Sequence, residues 1–372
     1  MSMRGLSFNE RRLAELIFRR RGIARVELAS LAKLTGASVT RLISGLIREG
    51  LLTEKTLKDG ARGQPRKILS LRRDNLVAAG FYTLADGIEA VLVDLDGKVL
   101  GHRSIPLAPA SADRIVDAVR ETTRDFLNDP GVKAGSFAGV GLCLPANFGS
   151  VGKYLKAHES FMKLDGNLLK EAIQGQSDWD IFLENDGTAV ALGEFLFGNH
   201  GVETLFLLHI GYGLGGGAVL NGRPYRGAHG NACLPGVLFP YNAPRPTLQD
   251  FETTVGMSGR RSCKVDMASP DDTSLQSRIH GWTERATGQV ELAARIVTGM
   301  FDPELIVLGG ALPSRLLRDI SARLEVRNIE GPSRGLQVAP IRATRLGDLN
   351  GPIGAASIPF FERLFPGSKE RD

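Results

Sequence analysis

Near residue 74 the hydrophobic pattern of this chain changes period, and that change constrains the fold more than any other feature. Before it, apolar residues recur at helical spacing and close on two short strand-like runs; after it, strand-like runs alternate with helical stretches. A chain of 372 residues that changes pattern in this way holds more than one core. The expectation is a helical head over residues 1–73 and a larger mixed α/β body beyond it.

The head opens with Ser7 followed by Glu10, a capping box that starts a helix whose apolar face is Leu13, Leu16 and Ile17. Arg19-Arg20-Arg21-Gly22 ends it, the cations suiting the helix C-terminus and Gly22 expected to take the left-handed cap. A short helix over Arg25–Leu31, a turn at Ala32-Lys33-Leu34 and a third helix capped by Thr35 and reaching Glu49 follow the helix-turn-helix plan. Val39, Leu42, Ile43, Leu46 and Ile47 form the inner stripe of the third helix, so Ser38, Thr40, Arg41 and Ser44 face outward. Small hydroxyl residues and one arginine near a helix N-terminus suit the major groove. Two short strands, Leu51–Lys55 and Lys67–Leu71, flank a Gly/Pro-containing wing over Asp59–Arg66. Its Arg62, Gln64 and Arg66, with Lys67, can track a phosphate backbone or enter a narrow minor groove.

Charge follows the same boundary. Residues 1–73 hold 17 Lys and Arg against 6 Asp and Glu, a net of +11, whereas the rest hold 29 against 35, a net of −6. A basic face that only aids solubility, or one that binds a membrane surface, would also satisfy the charge; helix pattern, wing and charge together favour double-stranded DNA. No run reaches the roughly 18 apolar residues of a membrane span and no secretory leader is evident, so the chain reads as cytoplasmic with no membrane partner. Cys143, Cys233 and Cys263 lack CxxC spacing and read as small buried residues.

In the body, Val77–Phe81 and Ala90–Leu95 read as a hairpin, Ala112–Asn128 as an amphipathic helix, Phe137–Leu142 as a strand and Leu168–Ile173 as a helix. Leu205–Ile210 reads as a strand, Gly211–Gly217 as a loop and Leu305–Leu308 as the final strand. Two such α/β units make two lobes with a cleft between them.

These residues also carry a family resemblance over nearly the whole chain. Leu28–Leu42 resembles the DNA-binding helices, Glu184-Asn185-Asp186 the END segment, Gly211–Gly217 the GTGxGGG phosphate loop, Arg226–Ala232 the RGANGNA segment and Asp302–Gly310 the closing DPExIVLGG segment of the ROK family of repressors, open reading frames and kinases, most closely its repressor branch. The resemblance implies an N-terminal winged helix-turn-helix and a two-lobed, sugar-kinase-like body of the actin/hexokinase type. It places lobe 1 at residues 74–190 and lobe 2 at 191–372, with the C-terminal helix returning to lobe 1. Asp186 matches the kinase base.

Departures from the family pattern set the functional expectation. Where the kinases carry DxGGTK, this chain has Tyr82-Thr83-Leu84-Ala85-Asp86-Gly87, and Tyr212 replaces the threonine of the second phosphate loop. Phosphoryl transfer depends on positioning and charge stabilisation, so Asp186 reads as a relic base and no catalytic residue or cofactor is expected. The GEIGH segment, source of a sugar-binding Glu and a zinc-binding His, is matched by Cys233–Val237 with Leu234 and Val237 at those places, so no metal is expected. Asn185 and Asp186 are the effector-binding candidates, joined by His158, Glu159 and His229. The reading is a sugar-controlled transcriptional repressor acting as a homodimer or homotetramer on an operator. An ATP-dependent sugar kinase and a regulator governed by a protein partner are the alternatives.

Overall fold

Ser7 caps the first helix as a true capping box: its Oγ accepts from the Glu10 amide, and the Glu10 carboxylate accepts from the Ser7 amide at 2.8 Å. The computed structural model describes residues 6–57, 66–107, 111–130, 132, 136–148, 155–157, 165–240, 242–257, 272–327, 329, 331 and 333–366. Helix α1 (Phe8–Arg20) ends with Arg21, not Gly22, in the left-handed conformation at φ 51°. Gly22 sits at φ 137° instead, where a Cβ would press on Ile68, so its lack of a side chain lets the chain approach the neighbouring strand.

Strand β1 (Ile23–Ala24) follows, then α2 (Arg25–Ala32) and α3 (Gly36–Arg48), separated by three residues. Thr35 caps α3 through the Ser38 amide at 3.2 Å. Val39, Ile43 and Leu46 are buried against Leu13 and Ile17 of α1, as the periodicity requires. Strands β2 (Leu52–Leu57) and β3 (Arg66–Leu71) are antiparallel, and β1 adds to the far side of β3 to give a three-stranded sheet ordered β1-β3-β2. A two-residue strand leaves no local signal, because its pairing partner lies over 40 residues away.

The body holds two five-stranded sheets with one topology. In the first, β4 (Leu76–Leu84), β5 (Gly87–Asp94) and β6 (Val99–Pro106) form an antiparallel meander, and β7 (Ser136–Leu144) and β10 (Ile181–Asn185) extend it in parallel from β4, giving the order β10-β7-β4-β5-β6. Parallel strands need a crossover, supplied by α4 (Ala112–Asn128) before β7; before β10 come the small hairpin β8 (Ala146–Phe148) and β9 (Leu155–Ala157) and then α5 (Gly166–Gln174).

Helix α6 (Asp186–Phe197) leads to the second sheet. There β11 (Leu205–Ile210), β12 (Leu214–Leu220) and β13 (Arg223–Tyr225) form the meander, and β14 (Leu305–Gly309) and β15 (Ile341–Ala343) extend it in parallel. Two sequence expectations change here. Most of the glycine run at 211–217 is strand, since residues 214–217 belong to β12, and Leu305–Leu308 is not the last strand because β15 follows it.

Helices α7 (Leu248–Val255) and α8 (Thr273–Phe301) precede β14, and α9 (Ser314–Glu325) links β14 to β15. The sequence reading missed α8, the longest helix, whose buried stripe mixes Leu275, Ile279, Trp282 and Val290 with Thr283, Ala286 and Thr287. Helix α10 (Asn350–Leu364) then returns to the first sheet, packing on β4 and β7 and along α6. Its Phe360, Phe361 and the following Phe365 share one apolar cluster with Leu13 and Phe18 of α1, so head and body are joined by a continuous core. Among the described residues no helix is long and apolar enough to cross a membrane.

Candidate functional site

The head presents α3 outward. Ala37, Thr40, Arg41, Ser44 and Arg48 are exposed along one side, opposite the buried stripe. Arg41 makes no ion pair with a described residue and, with Arg48 one heptad later, is a cation on a face otherwise made of small side chains. Ser38 is only half-buried but is committed to the cap, since Thr35 Oγ1 donates to its Oγ at 2.9 Å. On the β2–β3 hairpin, Lys67 is exposed near the start of β3, 3.8 Å from Glu54. Glu54 also accepts from Arg25 Nε at 2.6 Å, tying β2 to α2, and that bond holds its carboxyl below the ordinary 4.5. Arg62 and Gln64 lie outside the described residues, and of Arg66 only the backbone is described.

The second candidate site lies where the two sheets meet, at the start of α6. Asn185 is its N-cap: Oδ1 accepts from the Gly187 and Thr188 amides at 3.0 and 3.3 Å, and Nδ2 donates to the Ala146 carbonyl at 2.6 Å. Both ends of that side chain are therefore engaged in holding the fold. Asp186 Oδ1 accepts from the Gly187 amide at 2.8 Å, and Oδ2 stands 3.8 Å from His209 Nδ1, with the side chain 18% exposed. His209, on β11, is buried and meets Tyr82 Oη across the two sheets at 3.0 Å through Nε2. The Tyr82 ring in turn lies where a Cβ on Gly351 would fall, so the first turn of α10 needs glycine to accept it. Sequence reasoning missed His209; its partners are 23 and 127 residues away, and a lone histidine in an apolar strand reads as packing.

The glycines explain a second feature of this corner. A Cβ on Gly217 would strike the Gly187 carbonyl, and one on Gly187 would strike Gly216. Backbone of α6 thus packs directly on backbone of β12. Behind Asn185, Glu184 is buried and pairs with Arg226 at 2.6 Å, and Arg226 stands 3.7 Å from Glu362 of α10. Burial works against the Arg226 charge, but Glu184 outweighs it and the guanidinium is held above its ordinary value. Burial, with repulsion from Glu184, raises the Glu362 carboxyl although Arg226, Arg11 and Lys170 oppose it. Cys143, paired in register with Glu184, has its thiol pushed well up by burial and by the Asp186 and Glu184 carboxylates.

His229 is exposed in the loop closed by the Ala232 amide on the Arg226 carbonyl, and the structure brings it to no bond with Asn185 or Asp186. His158, Glu159 and Cys263 lie outside the described residues. Among the described residues no group of three His, Cys, Asp or Glu side chains is placed to hold a metal ion.

A family model described as the ROK family matches residues 85–295, more than half of the chain. A Sinorhizobium fredii protein named "Uncharacterized protein y4fQ" is 42% identical over 365 residues, covering 98% of this chain and 93% of its own length. The xylose repressor of Bacillus subtilis is 24% identical over 226 residues, 60% of this chain and 58% of that one. The crystal structure of a ROK family transcriptional regulator, a homolog of the E. coli MLC protein, matches with a TM-score of 0.69 at 22% identity, covering 96% of both chains. At that identity the likeness shows the fold alone.

Proposed function

The chain belongs to the ROK family, and we propose that it is a sequence-specific DNA-binding repressor whose winged helix-turn-helix head is controlled by a sugar or sugar derivative bound in the kinase-like body. The observation that carries this reading is the outward face of α3, where Ala37, Thr40, Arg41 and Ser44 stand exposed, with Lys67 also exposed on the following hairpin. A helix whose outer face is small over its first two turns except for Arg41, which makes no ion pair with a described residue, can lie deep in a major groove and offer that arginine bidentately to a guanine. Two copies related by a dyad would read half-sites about 34–36 Å apart.

Control without catalysis is supported by the interior. Phosphoryl transfer needs charge-stabilising groups held at the phosphates. At the position matched to the kinase aspartate, the Tyr82 ring instead lies against Gly351 with its hydroxyl on His209. Asp186, partly exposed, keeps a carboxylate oxygen for a ligand hydroxyl, and Asn185, although it caps α6 and donates to Ala146, keeps a second Nδ2 hydrogen for the same ligand. The relative named as a xylose repressor supports a sugar as the ligand class.

Selection of bound sequences from a random double-stranded DNA pool tests the first half. Arg41→Ala should relax preference at one base position at a cost of about 1–3 kcal/mol, and Lys67→Ala should weaken all sequences alike and lower the salt slope by about 1. Failure to enrich any sequence would sink the reading. Melting across a panel of sugars and ATP with magnesium tests the second half: a selective rise with a sugar is expected, and a rise with ATP would favour a kinase.

A further inference from the structure

Helix α1 is held by both halves of the body at once. Toward the first sheet, Phe18 meets Phe365 edge-on at 5.4 Å. Arg73, just before β4, donates to the Phe18 carbonyl at 3.0 Å, with its guanidinium 4.6 Å over the Phe18 ring. Toward the second sheet, Glu15 accepts from both terminal nitrogens of Arg223, at 2.8 and 2.5 Å, where β13 begins. Arg19, itself bonded to Glu15 at 2.9 Å, reaches Glu203 just before β11 and the Gly222 carbonyl in the β12–β13 turn at 3.5 Å. Glu15 is only 8% exposed, so its carboxylate depends on these partners in a way that a surface ion pair does not.

We propose that α1 is the lever through which the relative placement of the two sheets is transmitted to α3, with the Glu15–Arg223 and Arg19–Glu203 contacts as its grip on the second half. The proposal rests on reading α3 as the DNA-contacting helix. Its mechanics are local. Leu13 and Ile17 of α1 share one core with Val39, Ile43 and Leu46 of α3, so the two helices move as one close-packed body. If the second sheet rotates against the first, a helix fixed to both cannot follow both. Either the Glu15–Arg223 grip opens or the Phe18–Phe365 packing slides, and in both cases the head takes a second discrete position. The pivot is the corner already described, where Tyr82 of the first sheet and His209 of the second meet beside Asp186. A ligand engaging Asp186 therefore acts at the place where a small change in the angle between the sheets begins.

Coupling of this kind is reciprocal, so DNA alone tests it. Amide hydrogen exchange of the full chain is measured with and without a double-stranded fragment enriched by the wild type from a random pool. Binding is expected to change exchange by about fivefold or more not only in residues 8–71 but also in residues 203–225. Arg223→Gln should bind the same fragment yet lose the response at 203–225. If that variant does not fold, Glu203→Gln, whose side chain is 61% exposed, takes its place and should diminish the response. A wild-type response confined to residues 8–71, or one at 203–225 that persists undiminished in the variants, overturns the lever and leaves DNA binding standing. Failure to enrich any fragment removes the DNA reading and the lever with it.

Discussion

Replacing Tyr82 by Phe deletes one oxygen from the interior and changes no other atom. That oxygen sits 3.0 Å from His209 Nε2, and Tyr82 and His209 are 5% and 2% exposed, so water cannot take its place. Losing an ordinary buried hydrogen bond costs about 0.5–1.5 kcal/mol, and leaving the histidine nitrogen unsatisfied brings the expected loss to about 1–3 kcal/mol. Denaturant unfolding followed by tryptophan fluorescence measures it well here. Of the chain's two tryptophans, Trp179 packs on Phe137 in the first half and Trp282 on Phe251 in the second. Because the bond joins the two sheets, both reporters should shift to lower denaturant. A cycle with His209→Leu should return a coupling near 1 kcal/mol. A Tyr82→Phe variant within about 0.5 kcal/mol of wild type, the range of an ordinary surface substitution, would refute the claim that this hydroxyl ties the halves together.

Two further outcomes follow from named contacts. Gly217→Ala should lower the unfolding free energy by about 1–3 kcal/mol, because its methyl meets the Gly187 carbonyl, whereas Gly213→Ala, which meets nothing within 4 Å, should be close to neutral under the same denaturation. Glu54 is held below its ordinary 4.5 chiefly by the Arg25 hydrogen bond, so folding favours its ionised form and the stabilisation is present above that value and lost as pH falls through the lowered one. The melting temperature of Glu54→Gln should accordingly lie below wild type at neutral pH and converge on it in acid, as seen by circular dichroism across pH; a constant gap at all pH values would refute that origin.

What the sequence made legible was what its physics keeps local. Ser7 with Glu10, Thr35 before α3, and the 3.6-residue stripe of Val39, Ile43 and Leu46 each declare themselves within one or two helical turns. The Val77–Phe81 and Ala90–Leu95 hairpin is legible for the same reason. Long-range pairing is not: β1 exists only because β3 lies beside it, and the approach of Tyr82 to His209 depends on two sheets, distant in sequence, being brought together at one corner. Helix α8 hid for another reason. Thr283 and Thr287 sit inside it and bond to the carbonyls four residues back, at 2.8 Å each, so hydroxyl residues occupy core positions that a hydropathy pattern assigns to solvent.

The glycine run and the Glu184-Asn185-Asp186 segment show that residues resembling a catalytic motif also hold the fold together in this chain. In the kinases that the motifs resemble, these residues belong to a phosphate and sugar site. Here each of them is explained by what it holds in place: Gly216 and Gly217 let β12 lie against the backbone of Gly187, Asn185 caps α6 and ties it to Ala146, and Glu184 neutralises Arg226 beneath α10. Packing at the junction of the two sheets therefore calls for these residue types independently of any phosphoryl transfer. Within this segment Asp186, with its second oxygen turned toward His209 and partly open to solvent, retains a group not fully consumed by the fold. The same junction carries Tyr82, and the helix it supports, α10, carries the packing surface for α1. A ligand there would meet the structural seam of the molecule, and it would shift the parts on either side only as far as it binds one arrangement better than the other.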